Sequence, residues 1–600
     1  MKKLLLTTFL ISCFTNFLLS QTYNLYEISF DNRVHHEARI KAKFLKLENK
    51  VLEVRMSRSS PGRYAVHEFA KNVYSVRATD SKGNELPVTR PNPHQWNVSG
   101  HDGTVIFEYT LYANRAGGTY SGIDETHAHL NIPATFVWAR NIRHRPVRVK
   151  FNLPEGSNWK VATQMKDLGN NTFEAKDTYY FMDSPVEAAD LHMRERKIDG
   201  QNIRLALHTT ATAQEVDAYF EEVMKIVEQQ KAVFGELPRF DYGEYTFLSC
   251  YVPNASGDGM EHRNSTFVVS SKPHDRPLGN TSMGTMSHEF FHAWNVERIR
   301  PASLEPFDFE DANMSGELWF AEGFTSYYTN LFRARSGNMS AEDYVNGLGG
   351  AVNYVMNAPG RKYFNPIEMS YRAPFVDAAS SIDPDNNANI FISYYTYGSV
   401  LGLALDMMLR TQDNGKSLDG YMRHVWQTHG KTEIGYSVRD LEARLEEYAG
   451  EAFAKSFFAQ YIFKSEMPDY AGLFHKMGVI FEDPNPNSPT LGAFVRVNNG
   501  VGRMVQNAIV GSPMYEAGIE SEDEIISIDG KPLADFKGRN IDELIGDRKP
   551  GDVVEVEIDR WGKRMTKKVT LAADKNLRTR WDNNADAAAQ KRREEWLKAK

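Results

Sequence analysis

Met286-Ser287-His288-Glu289-Phe290-Phe291-His292 holds two histidines and a glutamate whose spacing could do chemistry. Residues i and i+4 share one face of a helix, so His288 and His292 can direct two imidazoles at one metal ion. Glu289 then falls beside the ion, where a general base for a water molecule is wanted. Two helix histidines near a core would give the same spacing. Against that, Phe290, Phe291 and Trp294 make the helix apolar and buried, and a buried unpaired histidine pair is costly. Thr281 or Ser282 is placed to cap its start.

Two imidazoles do not complete a catalytic site, because such metals take three protein ligands and keep one position open. Glu322 is the best candidate. It is one carboxylate inside Leu318-Trp319-Phe320-Ala321-Glu322-Gly323-Phe324, which reads as a second buried helix. A carboxylate in such a place is expected to be paired or metal-bound. Asp308, Glu310 and Asp311 are rivals, but they sit in an acidic, Pro-containing loop and read rather as solvated charges.

His-Glu-x-x-His followed by the Trp319-Phe320-Ala321-Glu322-Gly323-Phe324-Thr325 helix resembles the gluzincin metallopeptidases. Ala293-Trp294-Asn295, Arg298-Ile299-Arg300-Pro301 and the long insertion before Glu322 resemble the glycyl aminopeptidase family within that group. The resemblance implies one zinc per chain, held by His288, His292 and Glu322, with Glu289 as the base. It implies hydrolysis at free N-termini, with a preference for glycine or alanine there. Gly257-Asp258-Gly259-Met260-Glu261 is similar to the segment whose glutamate holds the substrate's α-amine in these enzymes, which points to Glu261. A Tyr-x-x-Gly element carries the tyrosine that donates to the oxyanion in related enzymes. Counting back from Gly398 gives Tyr395, with Tyr394 and Tyr397 as rivals, since this chain has Tyr397 where the family often has lysine.

These residues must be positioned by a multidomain α+β chain of 600 residues. Residues 21–198 alternate as antiparallel strands, for example Glu37 to Phe44 and Val51 to Met56, and read as a sandwich-like β domain. Ser60-Pro61-Gly62-Arg63-Tyr64 lies within it and resembles the family's N-terminal signature. Residues 199–415 read as a thermolysin-like catalytic domain, with an amphipathic helix opening at Ala213 and long loops from Tyr354 to Asp385. Residues 416–482 read as a helical subdomain. After a Pro- and Asn-rich linker, residues 490–572 resemble a PDZ domain. Leu491, Gly492 and Ala493 resemble its carboxylate-binding loop, so a C-terminal peptide is an expected ligand. The tail, 573–600, is charged and reads as a solvated helix or as disordered.

Met1-Lys2-Lys3 and the apolar run Leu4 to Leu19 read as a signal peptide cleaved near Ser20, which implies a periplasmic or extracellular protein. A lipoprotein anchored through Cys13 is the alternative. Once that segment is removed, Cys250 is the one cysteine left and no intramolecular disulfide can form. Cys250 reads as a core residue. His127, His129 and His144 could suggest a second metal site, but histidines on β-structure read rather as hydrogen bonded. A net charge of −8 argues against nucleic acid as a partner. Two other functions stay open: a metalloendopeptidase of the envelope, and a PDZ-led peptide-binding protein with a residual protease domain.

Overall fold

The computed structural model describes residues 22–271, 278–376 and 386–600. The proposed signal segment and Cys13 lie outside the described residues. Among the described residues no helix is long and apolar enough to cross a membrane.

The N-terminal domain is a β-structure of one seven-stranded and two four-stranded sheets. The strand Glu37–Phe44 alternates half-buried or exposed with buried positions, placing Ala38, Ile40, Ala42 and Phe44 in the core. The loop of Phe307 and Phe309 inserts both rings into this core from the catalytic domain. Glu310 bonds Arg55 at 2.9 Å and Arg140 at 2.8 Å. Glu310 is therefore docked on the N-terminal domain, while Asp308 and Asp311 are exposed as expected of solvated charges.

The catalytic domain begins with a five-stranded sheet ordered His192–Ile198, Gln201–His208, Glu244–Tyr251, Ser265–Ser270 and Asp258–His262. The first two strands pair along their whole length. A boundary at 198 cuts that hairpin, and the division falls nearer residue 190. The helix Ala213–Phe234 starts at a capping box of Thr212 and Glu215 and ends at Gly235, whose left-handed backbone satisfies the last turn. Its stripe of Val216, Tyr219, Phe220, Val223 and Val227 packs under the sheet. One hydrophobic core runs from Ile203 through Leu418, Leu441 and Phe474 to Trp596. The helices after residue 415 are thus part of the catalytic body, with no core of their own.

Two further expectations change. Within the region expected as loops, Pro366–Tyr371 is helical, because Asn365 and Glu368 form a capping box and proline suits the first helical position. The tail is packed, not solvated. Its strand Arg578–Trp581 pairs with Val479–Glu482, so the PDZ domain leaves and re-enters the catalytic body at one place. The helix Ala587–Leu597 then buries Trp596 completely, with its indole N–H donating to the Tyr327 hydroxyl at 2.9 Å. Charge along the tail hid two apolar anchors, Trp596 and Leu597.

Candidate metal centre

The motif helix spans Met283–Phe291, and His292 follows with helical backbone. Ser282 precedes it with a left-handed backbone and makes no side-chain capping bond, contrary to the expected cap. His288 and His292 project from one face with ring centroids 4.7 Å apart. Their Nε2 atoms lie 3.3 and 3.2 Å from Glu322 Oε2. The chain therefore brings the three expected ligands together, while Asp308, Glu310 and Asp311 stay in the docked loop.

Each imidazole is oriented from behind. His292 Nδ1–H donates to the Asn295 carbonyl at 2.6 Å. His288 Nδ1–H donates to the Thr329 hydroxyl at 3.1 Å, and that hydroxyl donates to the Thr325 carbonyl at 2.9 Å. Both Nε2 atoms are thereby turned toward Glu322. The Asn295 amide bonds the Phe320 and Ala321 carbonyls at 3.2 and 3.1 Å, tying the exit of the motif helix to the segment that carries Glu322. Two nitrogens and one carboxylate oxygen in this arrangement fit a divalent ion such as zinc.

The Glu322 segment is two helices, Leu318–Ala321 and Gly323–Arg335, which meet at Glu322. The break lies where the helix Tyr394–Arg410 crosses at backbone distance. A Cβ on Gly398 would overlap the Trp319 carbonyl and come 2.7 Å from Gly323 Cα. This approach carries Tyr395 to the site, its ring centroid 6.1 Å from that of His288. Tyr394 lies tilted against Tyr395, centroids 4.8 Å apart, and meets Tyr64 edge-on. Tyr397 is fully buried on the far side of the helix, where burial lifts its hydroxyl pKa to about 12.

Glu261 and Glu289 offer ligand atoms within 4.8 Å of one another and of His292. Both are buried. Burial holds the Glu289 carboxyl well above the ordinary range, and the charges of Glu261 and Glu322 add to the rise, against the pull of His292. Burial also raises Glu261, with His292 opposing and Glu322 reinforcing. Burial would raise Glu322 too, but His292 and His288 hold it far below. His292 is correspondingly lifted to about 10 by Glu322 and Glu261, against its own burial. Glu289 Oε2 is buried without a hydrogen-bond partner, as expected of an atom poised for a proton. Gly259 is needed beside it, since a Cβ there would overlap Glu289 Oε1.

The sequence reading missed the residues that the N-terminal domain contributes. Tyr64 donates its hydroxyl to Glu322 Oε1 at 2.7 Å. Arg63 pairs with Asp258 at 2.5 Å and also bonds the Gly259 carbonyl at 3.2 Å, fixing the strand that bears Glu261. Their place in the signature Ser60 to Tyr64 was the available signal, but nothing local says which side chain reaches the catalytic domain. The expected PDZ residues are placed differently from one another. Leu491 is buried in the PDZ core, its N–H held by Asp542 at 2.9 Å. Gly492 and Ala493 line a 620 Å³ cavity that also touches Asn357 of the catalytic body.

Residues 25–190 match the Peptidase M61 N-terminal domain, residues 281–401 the M61 glycyl aminopeptidase domain, and residues 476–571 a PDZ domain. The fold is similar to the crystal structure of an aminopeptidase N family protein from Idiomarina loihiensis, with a TM-score of 0.83 at 24% identity, covering 96% of this chain and 99% of that one. A looser likeness, TM-score 0.43 at 12% identity over 73% of this chain and 93% of the other, is to an M1 zinc metallopeptidase from Deinococcus radiodurans. A serine protease Do-like HtrA of Bacillus subtilis is 44% identical over 89 residues, 14% of this chain and 19% of that protein's length. The chain thus carries the M61 N-terminal and M61 glycyl aminopeptidase domains with a PDZ domain appended, while residues 191–280 and 402–475 lie between the matched segments.

Proposed function

We propose that this protein is an exported zinc aminopeptidase that removes small residues, glycine or alanine, from the free N-termini of peptides. The observation that carries this reading is the position of Glu261. A second buried carboxylate stands within 4.8 Å of both Glu289 and His292, where a substrate's ammonium group would sit beside the scissile bond. The leader of Lys2, Lys3 and the apolar run Leu4 to Leu19 supports export.

His288, His292 and Glu322 would hold one catalytic zinc. Zinc bound there would supply Lewis-acid polarisation of the scissile carbonyl and lower the pKa of a water. Glu289 accepts the water's proton at its buried Oε2 and returns it to the leaving amine. Tyr395 donates its hydroxyl to the oxyanion. Tyr64 steadies Glu322, and Glu261 fixes the N-terminal amine at one register from the reacting carbonyl. The PDZ cavity at Gly492 and Ala493 is a candidate groove for a C-terminal peptide, and Leu491 supports it from the core.

Hydrolysis of glycyl- and alanyl-anilides, beside the same compounds N-acetylated, tests the reading. Chelator-sensitive release from free amines alone is expected. Equal release from blocked substrates would make the protein an endopeptidase. No release from zinc-loaded protein would favour a PDZ-led binding function.

A further inference from the structure

Away from the catalytic centre, four more metal-binding side chains meet at the seam between two domains. His127 and Glu187 come from the neighbouring strands His127–Leu130 and Val186–Ala189 of the N-terminal domain. His208 and Cys250 are register partners at the ends of the parallel strands Gln201–His208 and Glu244–Tyr251 of the catalytic sheet. One ligand atom from each lies within 4.8 Å of all the others. Cys250 Sγ is 3.8 Å from His208 Nδ1, and His208 Nδ1 is 4.0 Å from Glu187 Oε1. The rings of His127 and His208 are 4.9 Å apart. Glu187 and Cys250 are 0% exposed and His127 is 2% exposed.

Two features separate this cluster from an ordinary polar network. First, its inward atoms are orphans: His127 Nε2 and Glu187 Oε1 are both buried without a hydrogen-bond partner. Leaving such groups unsatisfied costs about 1–3 kcal/mol each. Second, the outward atoms of His127 and Glu187 are held. His127 Nδ1 bonds Asp124 Oδ1 at 3.0 Å, and Asp124 is fixed in turn by the Thr126 and His127 N–H groups. Glu187 Oε2 bonds His129 Nδ1 at 2.7 Å, while His129 Nε2 donates to the Gly117 carbonyl at 3.0 Å. A carboxylate behind a metal-binding histidine is the usual device that aims its free nitrogen. The 4.0 Å contact within the cluster is too long for a hydrogen bond, and the 3.8 Å contact is a weak one to sulfur. They approach the ligand–ligand edges, about 3.3–3.8 Å, of a four-coordinate zinc with bonds of about 2.0–2.3 Å. His129 therefore supports this group, and the exposed His144 has no part in it.

We propose that His127, Glu187, His208 and Cys250 form a second, structural zinc site that clamps the N-terminal β domain to the catalytic sheet. The donor set decides the ion. Thiolate with two imidazoles suits zinc, whereas calcium and magnesium take oxygen ligands. Four protein ligands close the shell, as in structural sites, so no position remains for substrate. Glu187 and the Cys250 thiolate together balance the ion's two charges, which a buried site requires. Binding displaces the thiol proton to solvent.

The test is the metal content of the full-length protein after zinc loading and dialysis, with cobalt substitution beside it. Two ions per chain are expected. Cys250→Ser should hold one and keep its aminopeptidase activity, and His292→Ala should hold one and lose it. Cobalt-loaded native protein should show thiolate-to-cobalt charge transfer in the near ultraviolet, a readout that needs no variant, and Cys250→Ser should lack it. One ion per native chain, unchanged in Cys250→Ser, would overturn the site, as would cobalt protein without the thiolate band. One ion per native chain that disappears with Cys250→Ser would instead uphold this site and count against the catalytic zinc.

Discussion

Tyr64, in the N-terminal domain, donates its hydroxyl to Glu322 Oε1 at 2.7 Å, while the other oxygen of Glu322 faces both histidines. The β domain is thus part of the metal centre and not an appendage. Tyr64→Phe should leave the fold intact and weaken metal binding about 10–100-fold. Zinc retained against a graded chelator series checks this, and unchanged retention would reduce Tyr64 to a packing residue.

Glu289 has no structural partner at Oε2, so removing its charge should not disturb the ligands. Glu289→Gln should keep the catalytic zinc and lower kcat by about 10²–10⁴-fold. Metal content and turnover measured on one preparation decide it. Surviving turnover would mean the base is elsewhere.

Glu261 stands beside the site but does not bond to His288 or Glu322. Glu261→Gln should lower kcat/KM for free-amine substrates by at least about tenfold, one lost charge-assisted contact. N-acetylated peptides should be affected far less. Equal losses on both would remove its anchoring role.

Trp596 ties the tail to Tyr327 and is completely buried. Trp596→Ala should destabilise the catalytic body by about 3–5 kcal/mol through the cavity it leaves. Activity measured well below the unfolding temperature should change little. A variant as stable as the native protein in urea would show that the tail is only loosely attached.

His67 stacks on Phe69 and is buried. Burial and the nearby cations Arg63, Arg115 and Lys71 lower its pKa from 6.5 to about 4. Between these values the unfolded chain binds a proton that the folded chain refuses, so stability falls as pH drops through this window. The loss by about pH 4.5 should be about 2–3 kcal/mol. His67→Gln should flatten the dependence of the urea midpoint between about pH 7 and about pH 4.5, and an unchanged slope would put the acid sensitivity elsewhere.

Sequence by itself determined the parts whose geometry is local. Helical period places His288 and His292 on one face. An isolated carboxylate in an apolar run marks Glu322, and the amphipathic run from Ala213 marks a helix that the structure shows. The PDZ and M61 segments were legible because their motifs are continuous in the chain. Tertiary structure alone decided the pairings that span long separations. Tyr64 reaches Glu322, Trp596 reaches Tyr327, and His127 meets Cys250 only because two separately folded sheets pack together. Hydropathy could not foresee these contacts. It records whether a residue is buried, and a buried tyrosine, histidine or cysteine reads the same in a plain core as at a seam between domains.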